Sequence, residues 1–208
     1  LNVPRSARFT VLYVGRLEQK KNVRFLVAAF QKLLQRHPDA LLQIVGVGVE
    51  EHALRRQVRD NRLSDSVSFL GLVPHNKLPE LYAAASVFVL PSVLETQSLV
   101  ALEAMKFRLP VIVTNAILSA RDLVENGVTG YIVDPNSVQE LADRLTWLHD
   151  RPTLCRQMGE AGSSRISFET PETVAVKLEA LYVKKPEAPT QLETPKIQPV
   201  NRSHRSKI

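Results

Sequence analysis

The stretch VFVLPSVLETQSLVALEAM, residues 87–105, decides the fold. Its opening, Val87 to Leu90, is an uninterrupted apolar run rich in β-branched and large side chains, the composition of a strand buried on both faces. Pro91 and Ser92 end the run. Ser98 then stands ahead of Leu99, Val100, Ala101 and Leu102, where a hydroxyl can open a helix by capping its first free N–H groups. A buried strand that passes through a short loop into a helix is one half of a βαβ unit, so the rest of the chain should supply more of them.

It does. Working outward, the strands read as Phe9 to Val14, Leu41 to Val45, Val67 to Leu70, Val87 to Leu90, Val111 to Val113 and Tyr131 to Val133. Helices between them begin near Asn22, Glu50, Lys77, Ser98 and Ser119. In the first, Val23, Leu26, Val27, Phe30, Leu33 and Leu34 recur at three- and four-residue spacing, which predicts one apolar stripe toward the sheet. Ser137 to His149, Pro152 to Gly162 and Pro171 to Val183 read as three further helices forming a C-terminal layer. The fold class is therefore α/β, a doubly wound, Rossmann-like parallel sheet of about six strands. Residues 1–8 read as a linker remnant and 9–183 as the folded domain. From Lys184 to Ile208, prolines among polar and basic residues leave too little apolar surface to offset ordering entropy, which predicts a disordered tail.

Composition narrows the function. The net charge is +6, but six lysines and arginines against Glu187 and Glu193 place +4 of it in the tail. No cationic stripe with interleaved aromatics crosses the folded part, so a nucleic-acid interface is not expected. The single cysteine, Cys155, forbids an internal disulfide and fits a reducing, cytoplasmic setting. The longest apolar stretch, Leu81 to Val93, is too short to span a bilayer, leaving peripheral contact with the cytoplasmic membrane surface as the expected relation to lipid. The chain opens on Leu1, which reads as a piece with its partner segment upstream.

In a sheet ordered 3-2-1-4-5-6, ligands sit beyond the carboxyl ends of strands one and four, where the order reverses. The loops there are Gly15 to Asn22 and Pro91 to Glu103. Arg16 and Lys21 offer cations, and the helix opened by Ser98 offers the N–H groups of Leu99 and Val100 to an anion. Glu95 and Glu103 are acceptors suited to sugar and ribose hydroxyls. Together these point to a diphosphate ester of a sugar, although singly each residue suits a solvated surface or a helix dipole. Gly46-Val47-Gly48 is either part of the same cleft or an ordinary tight turn. There is no Asp-x-Asp to hold a diphosphate-bridging metal, and the histidines at 37, 52, 75, 149 and 204 lack metal-ligand spacing, so no metal site is expected and surface or capping roles are assigned to them. Met105, Trp147 and Met158 fall on apolar helical faces and read as core.

The chain resembles the C-terminal, donor-binding domain of the retaining family-4 (group 1) glycosyltransferases, which have the two-domain GT-B architecture. The resemblance runs from about Phe9 to Val183. It rests on Tyr13 to Leu17 with Lys21 beyond, Phe69 to Pro74, Glu95 to Ser98 continuing through Glu103 to Met105 and Leu109 to Ile112, and Asn126 to Val133. It implies that Arg16 and Lys21 clamp the donor diphosphate and Glu103 bonds the ribose. Glu95, with the backbone of Thr96, Gln97 and Ser98, orients the donor sugar, while Gly15, Gly48 and Leu72 line the donor cleft, with the base against backbone near Gly71 to Val73. No cofactor is implied beyond the nucleotide-sugar substrate. The Glu-Thr-Gln-Ser wording at 95–98 is similar to some glucolipid synthases, which favours UDP-glucose over a GDP-sugar and a lipid or glycan acceptor. The acceptor is expected on an N-terminal domain of the same polypeptide, so this half alone should not transfer sugar.

The departures are specific. Arg108 stands where the family usually has glycine, so either that turn is drawn differently or the helix runs longer. Ile117 to Asp122 replaces a common Gly-Gly-x-Pro-Glu stretch. These keep a rival open, a non-catalytic nucleotide-binding or scaffold domain derived from such an enzyme. A dinucleotide dehydrogenase would need Gly-x-Gly-x-x-Gly after the first strand, which Gly15-Arg16-Leu17 does not supply.

Overall fold

In the computed structural model, the described residues are 6–96 and 98–167. Six strands, β1 (Thr10–Val14), β2 (Leu41–Val45), β3 (Val67–Gly71), β4 (Val87–Leu90), β5 (Val111–Thr114) and β6 (Gly130–Val133), form one parallel sheet in the order β3-β2-β1-β4-β5-β6. The order reverses between β1 and β4, as the sequence predicts. Among the described residues seven α-helices alternate with or follow them: α1 (Val23–Leu34), α2 (Glu51–Asp60), α3 (Leu78–Ala84), α4 (Leu99–Lys106), α5 (Ala120–Leu123), α6 (Val138–His149) and α7 (Pro152–Ser167). The strands and helix starts fall within a residue or so of their expected positions.

Every residue of β1, β4 and β5 is buried, because helices cover both faces of the central sheet. Alternation sorts the side chains to two cores. Val11 and Tyr13 point to one, with Val89 and residues of α1 and α6, while Leu12 and Val14 point to the other, with Phe88, Leu90 and residues of α3 and α4. Edge strand β3 alternates instead, with Val67 buried and Ser68 and Leu70 exposed.

Helix α1 departs from the single stripe. Phe25 and Ala29 are buried beside Val23, Leu26, Val27, Phe30 and Leu33, and α6 packs alongside α1 in the same core. Of the C-terminal helices, α6 and α7 pack on one another, and α6 also lies on α1 while α7 also packs on α4 and β6. Helix α7 also runs past Gly162 to Ser167. Met105 and Met158 are core, and Trp147 sits partly buried, edge-on to Tyr131. The expected helix at Pro171 to Val183 and the tail from Lys184 lie outside the described residues.

Arg108 settles the question raised by its missing glycine, and neither alternative holds. The N–H of Leu109 reaches the carbonyl of Ala104 at 3.1 Å and that of Arg108 reaches Met105 at 2.9 Å, the two bonds of a Schellman cap on α4. Arg108 occupies the left-handed position itself, with φ of 58°. The turn is drawn as for glycine and α4 stops at Lys106, with the arginine held in a conformation that costs an L residue about 1 kcal/mol.

Candidate functional site

The carboxyl ends of β1, β2 and β3 continue into loops stitched to one another by backbone bonds. Gly15 N–H donates to Val45 (3.0 Å), Leu17 to Val47 (3.0 Å), Gly46 to Gly71 (2.7 Å) and Glu50 to Leu17 (2.9 Å). Glycine is required where the loops touch: a Cβ on Gly46 would lie 1.9 Å from the Gly15 carbonyl oxygen, and one on Gly48 would lie 2.3 Å from that of Leu17. Gly48 thus shapes the site by letting the second loop lie on the backbone of the first. Beneath them the buried Tyr13 donates its hydroxyl to the Arg16 carbonyl at 2.8 Å, and burial, with Glu95 and Glu18 nearby, raises its pKa so that it stays a donor.

From the other side comes the β4 loop. Val93 N–H donates to the Lys20 carbonyl at 2.8 Å, joining the two loops across the reversal point, and Leu118 N–H donates to Glu95 at 3.1 Å, tying in the β5 loop. Here Lys21 and Glu95 meet: Nζ donates to Oε2 in a pair whose side chains are only 15% and 19% exposed. Sequence reasoning assigned the two to separate tasks; the fold makes them partners. Arg16 lies further out, 69% exposed and 2.7 Å from Glu18, which also holds Lys20 at 3.3 Å.

Ser98 caps α4, its hydroxyl accepting from Ala101 N–H at 3.3 Å. That bond occupies one orphan donor, while the N–H groups of Leu99 and Val100 have no carbonyl four residues back within the helix. Thr96 lies in the loop just before them, and Gln97 lies outside the described residues. One turn along α4, Glu103 accepts from the Tyr82 hydroxyl at 2.9 Å. Tyr82 is buried, and burial reinforced by the bond to Glu103 raises its pKa, fixing it as a donor. Sequence reasoning missed Tyr82; its signal was a phenol, with a polar tip that needs a partner, inside the apolar run from Leu81. Leu72 is 80% exposed, and with Val49, Leu94 and Leu118 on the loops and Leu99 at the start of α4 it leaves large apolar side chains bare at this edge.

The fold therefore brings together Lys21 with Glu95, sets the first turn of α4 beyond them, and anchors Glu103 through Tyr82. Arg16, Gly15 and Gly48 sit in the loops alongside. The arrangement offers cations and free N–H groups to an anion and carboxylates to hydroxyls. Over residues 2–165 the chain matches the sequence profile described as glycosyl transferases group 1.

The chain belongs to the group 1 glycosyltransferases. Among its relatives, the glycogen synthase of Mycobacterium tuberculosis is 34% identical over 181 residues, covering 86% of this chain and 44% of that protein. Among solved structures, the Anabaena protein HepE in complex with UDP superposes with a TM-score of 0.75 at 25% identity, covering 85% of this chain and 49% of that one. The C-terminal domain of the group 1 family protein LpcC from Francisella tularensis shares the fold, with a TM-score of 0.72 at 24% identity over 79% of this chain and 87% of that one. This group 1 domain has the Rossmann-like fold of its GT-B neighbours and spans less than half the length of the curated relatives it matches.

At the opposite edge the structure corrects one assignment. His37 and His149 are not isolated surface groups: their rings stack with centroids 3.6 Å apart, and both approach Asp150. Sequence spacing hides this, since His37 follows α1 and His149 ends α6. Among the described residues no helix is long and apolar enough to cross a membrane.

Proposed function

We propose that this domain holds a nucleoside diphosphate-sugar for retaining, metal-independent transfer of a hexose to an acceptor hydroxyl of a lipid or glycan. The observation that carries the reading is the meeting of Lys21 and Glu95, from the β1 and β4 loops, ahead of the first turn of α4. The UDP complex of HepE supports uridine as the base, and the wording at 95–98 supports glucose. The bare apolar side chains around the crevice support docking of an N-terminal acceptor domain over this edge.

In this mechanism Arg16 leaves Glu18, and Lys21 is shared between Glu95 and the diphosphate. With the N–H groups of Leu99 and Val100 they stabilise the negative charge that grows as the bond from the anomeric carbon to the phosphate oxygen breaks. The acceptor oxygen forms the new bond on the same face, and its proton passes to the departing phosphate oxygen. Glu95, with backbone at Thr96 to Ser98, orients the sugar. Glu103, steadied by Tyr82, accepts from the ribose. A two-carboxylate double displacement is the poorer fit, because Glu103 is engaged with Tyr82 and serves the ribose. The intact turn at Arg108 removes one reason for reading the domain as a non-catalytic scaffold.

The test is a transfer assay with UDP-glucose, using the chain alone and joined to its N-terminal half. Transfer with retained configuration in the joined protein, and none by the chain alone, is expected, since closure of the second domain excludes water and completes the approach geometry. Transfer by the chain alone, or an inverted product, contradicts the reading.

A further inference from the structure

We infer, on the diphosphate reading of the crevice, that Tyr13 is a positioning residue whose hydroxyl fixes the peptide from which the Arg16 guanidinium reaches the leaving phosphate. Tyr13 lies in β1, where alternation turns its side chain into the core it shares with Val11 and Leu17, and it is wholly buried. That core is apolar, so a phenylalanine would fill the same space. What the hydroxyl adds is one bond, donated across three residues to the Arg16 carbonyl at 2.8 Å.

The bond closes a clamp. The Arg16 carbonyl and the Leu17 N–H belong to one planar trans peptide and point in opposite directions. Tyr13 holds the carbonyl, and the N–H donates to the Val47 carbonyl at 3.0 Å, so one end of the unit is taken by the core and the other by the β2 loop. The residue before is pinned as well. Gly15 N–H donates to Val45 at 3.0 Å, and the phenol lies so close beneath it that a Cβ on Gly15 would sit 2.8 Å from the hydroxyl oxygen. The main chain around Arg16 is thus fixed, whereas its side chain is 69% exposed and paired with Glu18.

Diphosphate binding moves that guanidinium from Glu18 to the phosphate. With the main chain already fixed, the exchange is a change of side-chain rotamer that orders no backbone, which lowers its entropic cost. Without the Tyr13 bond the carbonyl loses its partner beneath the loop, and the peptide can turn it elsewhere and carry the Arg16 side chain with it. Burial, with the carboxylates of Glu95 and Glu18, raises the pKa of the phenol and keeps on it the proton that makes the bond.

The test is amide hydrogen exchange beside calorimetric titration with UDP and with pyrophosphate, on the full chain and its Tyr13→Phe, Arg16→Ala and doubly substituted forms. Tyr13→Phe should quicken exchange at Leu17 at least about tenfold while the amides of β4 and β5 keep their parental rates, the mark of a local release. It should weaken UDP and pyrophosphate alike, about fivefold, because the contact at stake is to the diphosphate. In the Arg16→Ala background Tyr13→Phe should cost little further affinity, since it acts through that residue. Affinity unchanged by Tyr13→Phe, or the same loss with and without Arg16, overturns the inference while leaving the diphosphate reading standing. A parent that binds neither ligand overturns both, and does so before any substitution is made. If Tyr13→Phe does not fold, proton NMR of the parent decides: a slowly exchanging Tyr13 hydroxyl proton is expected, and one in fast exchange with water refutes the clamp.

Discussion

Lys21 and Glu95 should respond to mutation in opposite directions when the ligand is free UDP. Their pair is mostly buried and joins the two loops of the crevice. Charges 4 Å apart attract by about 4 kcal/mol at the effective dielectric of a protein surface, and solvent screening of the partly exposed pair reduces the net value to about 1 kcal/mol. A diphosphate competes with Glu95 for Lys21 and is repelled by it, so Glu95→Gln should tighten UDP by about that 1 kcal/mol, or roughly fivefold. Transfer should still fall, because the carboxylate that orients the sugar is gone. Lys21→Ala removes a charge-assisted bond worth about 1.5–3 kcal/mol and leaves Glu95 unneutralised beside the anion, so UDP affinity and turnover should drop about a hundredfold. The double variant should recover part of that loss, since the two residues act as a coupled unit. Calorimetry with UDP on the four proteins measures the cycle. Weaker UDP binding by Glu95→Gln, or strictly additive losses, would refute competition between Glu95 and the diphosphate.

Tyr82→Phe should leave the fold intact but free the Glu103 carboxylate, weakening UDP by about 1 kcal/mol, whereas binding of pyrophosphate, which has no ribose, should be unchanged. Gly46→Ala should destabilise the chain by more than about 2 kcal/mol in urea unfolding, since its Cβ would meet the Gly15 carbonyl oxygen at 1.9 Å and push the Arg16 loop from its place.

The fold was legible because the strands are short, β-branched runs bounded by clear turn residues. Pattern alone set β1 and β4 at the reversal point, and with them the loops of Arg16, Lys21, Glu95 and Ser98. Contacts between distant segments were not legible. Helix α1 buries Phe25 and Ala29 as well as its stripe and packs on α6, which comes about a hundred residues later in the chain. Tyr82 and Glu103 lie on successive helices whose contact depends on how α3 and α4 pack, and His37 meets His149 only because α1 and α6 end at the same edge. Arg108 shows a different limit: the sequence marks the unusual residue, but only the backbone reveals that the cap keeps its geometry.

The central claim is that the crevice beyond β1 and β4 binds a nucleoside diphosphate through Lys21 and Arg16. Calorimetric titration of this chain with UDP and GDP, beside the Arg16→Ala and Lys21→Ala variants, tests it most directly. The account predicts saturable binding of one UDP per chain, tighter than GDP and weakened in both variants. No binding of either nucleotide, or UDP affinity unchanged in both variants, would contradict it.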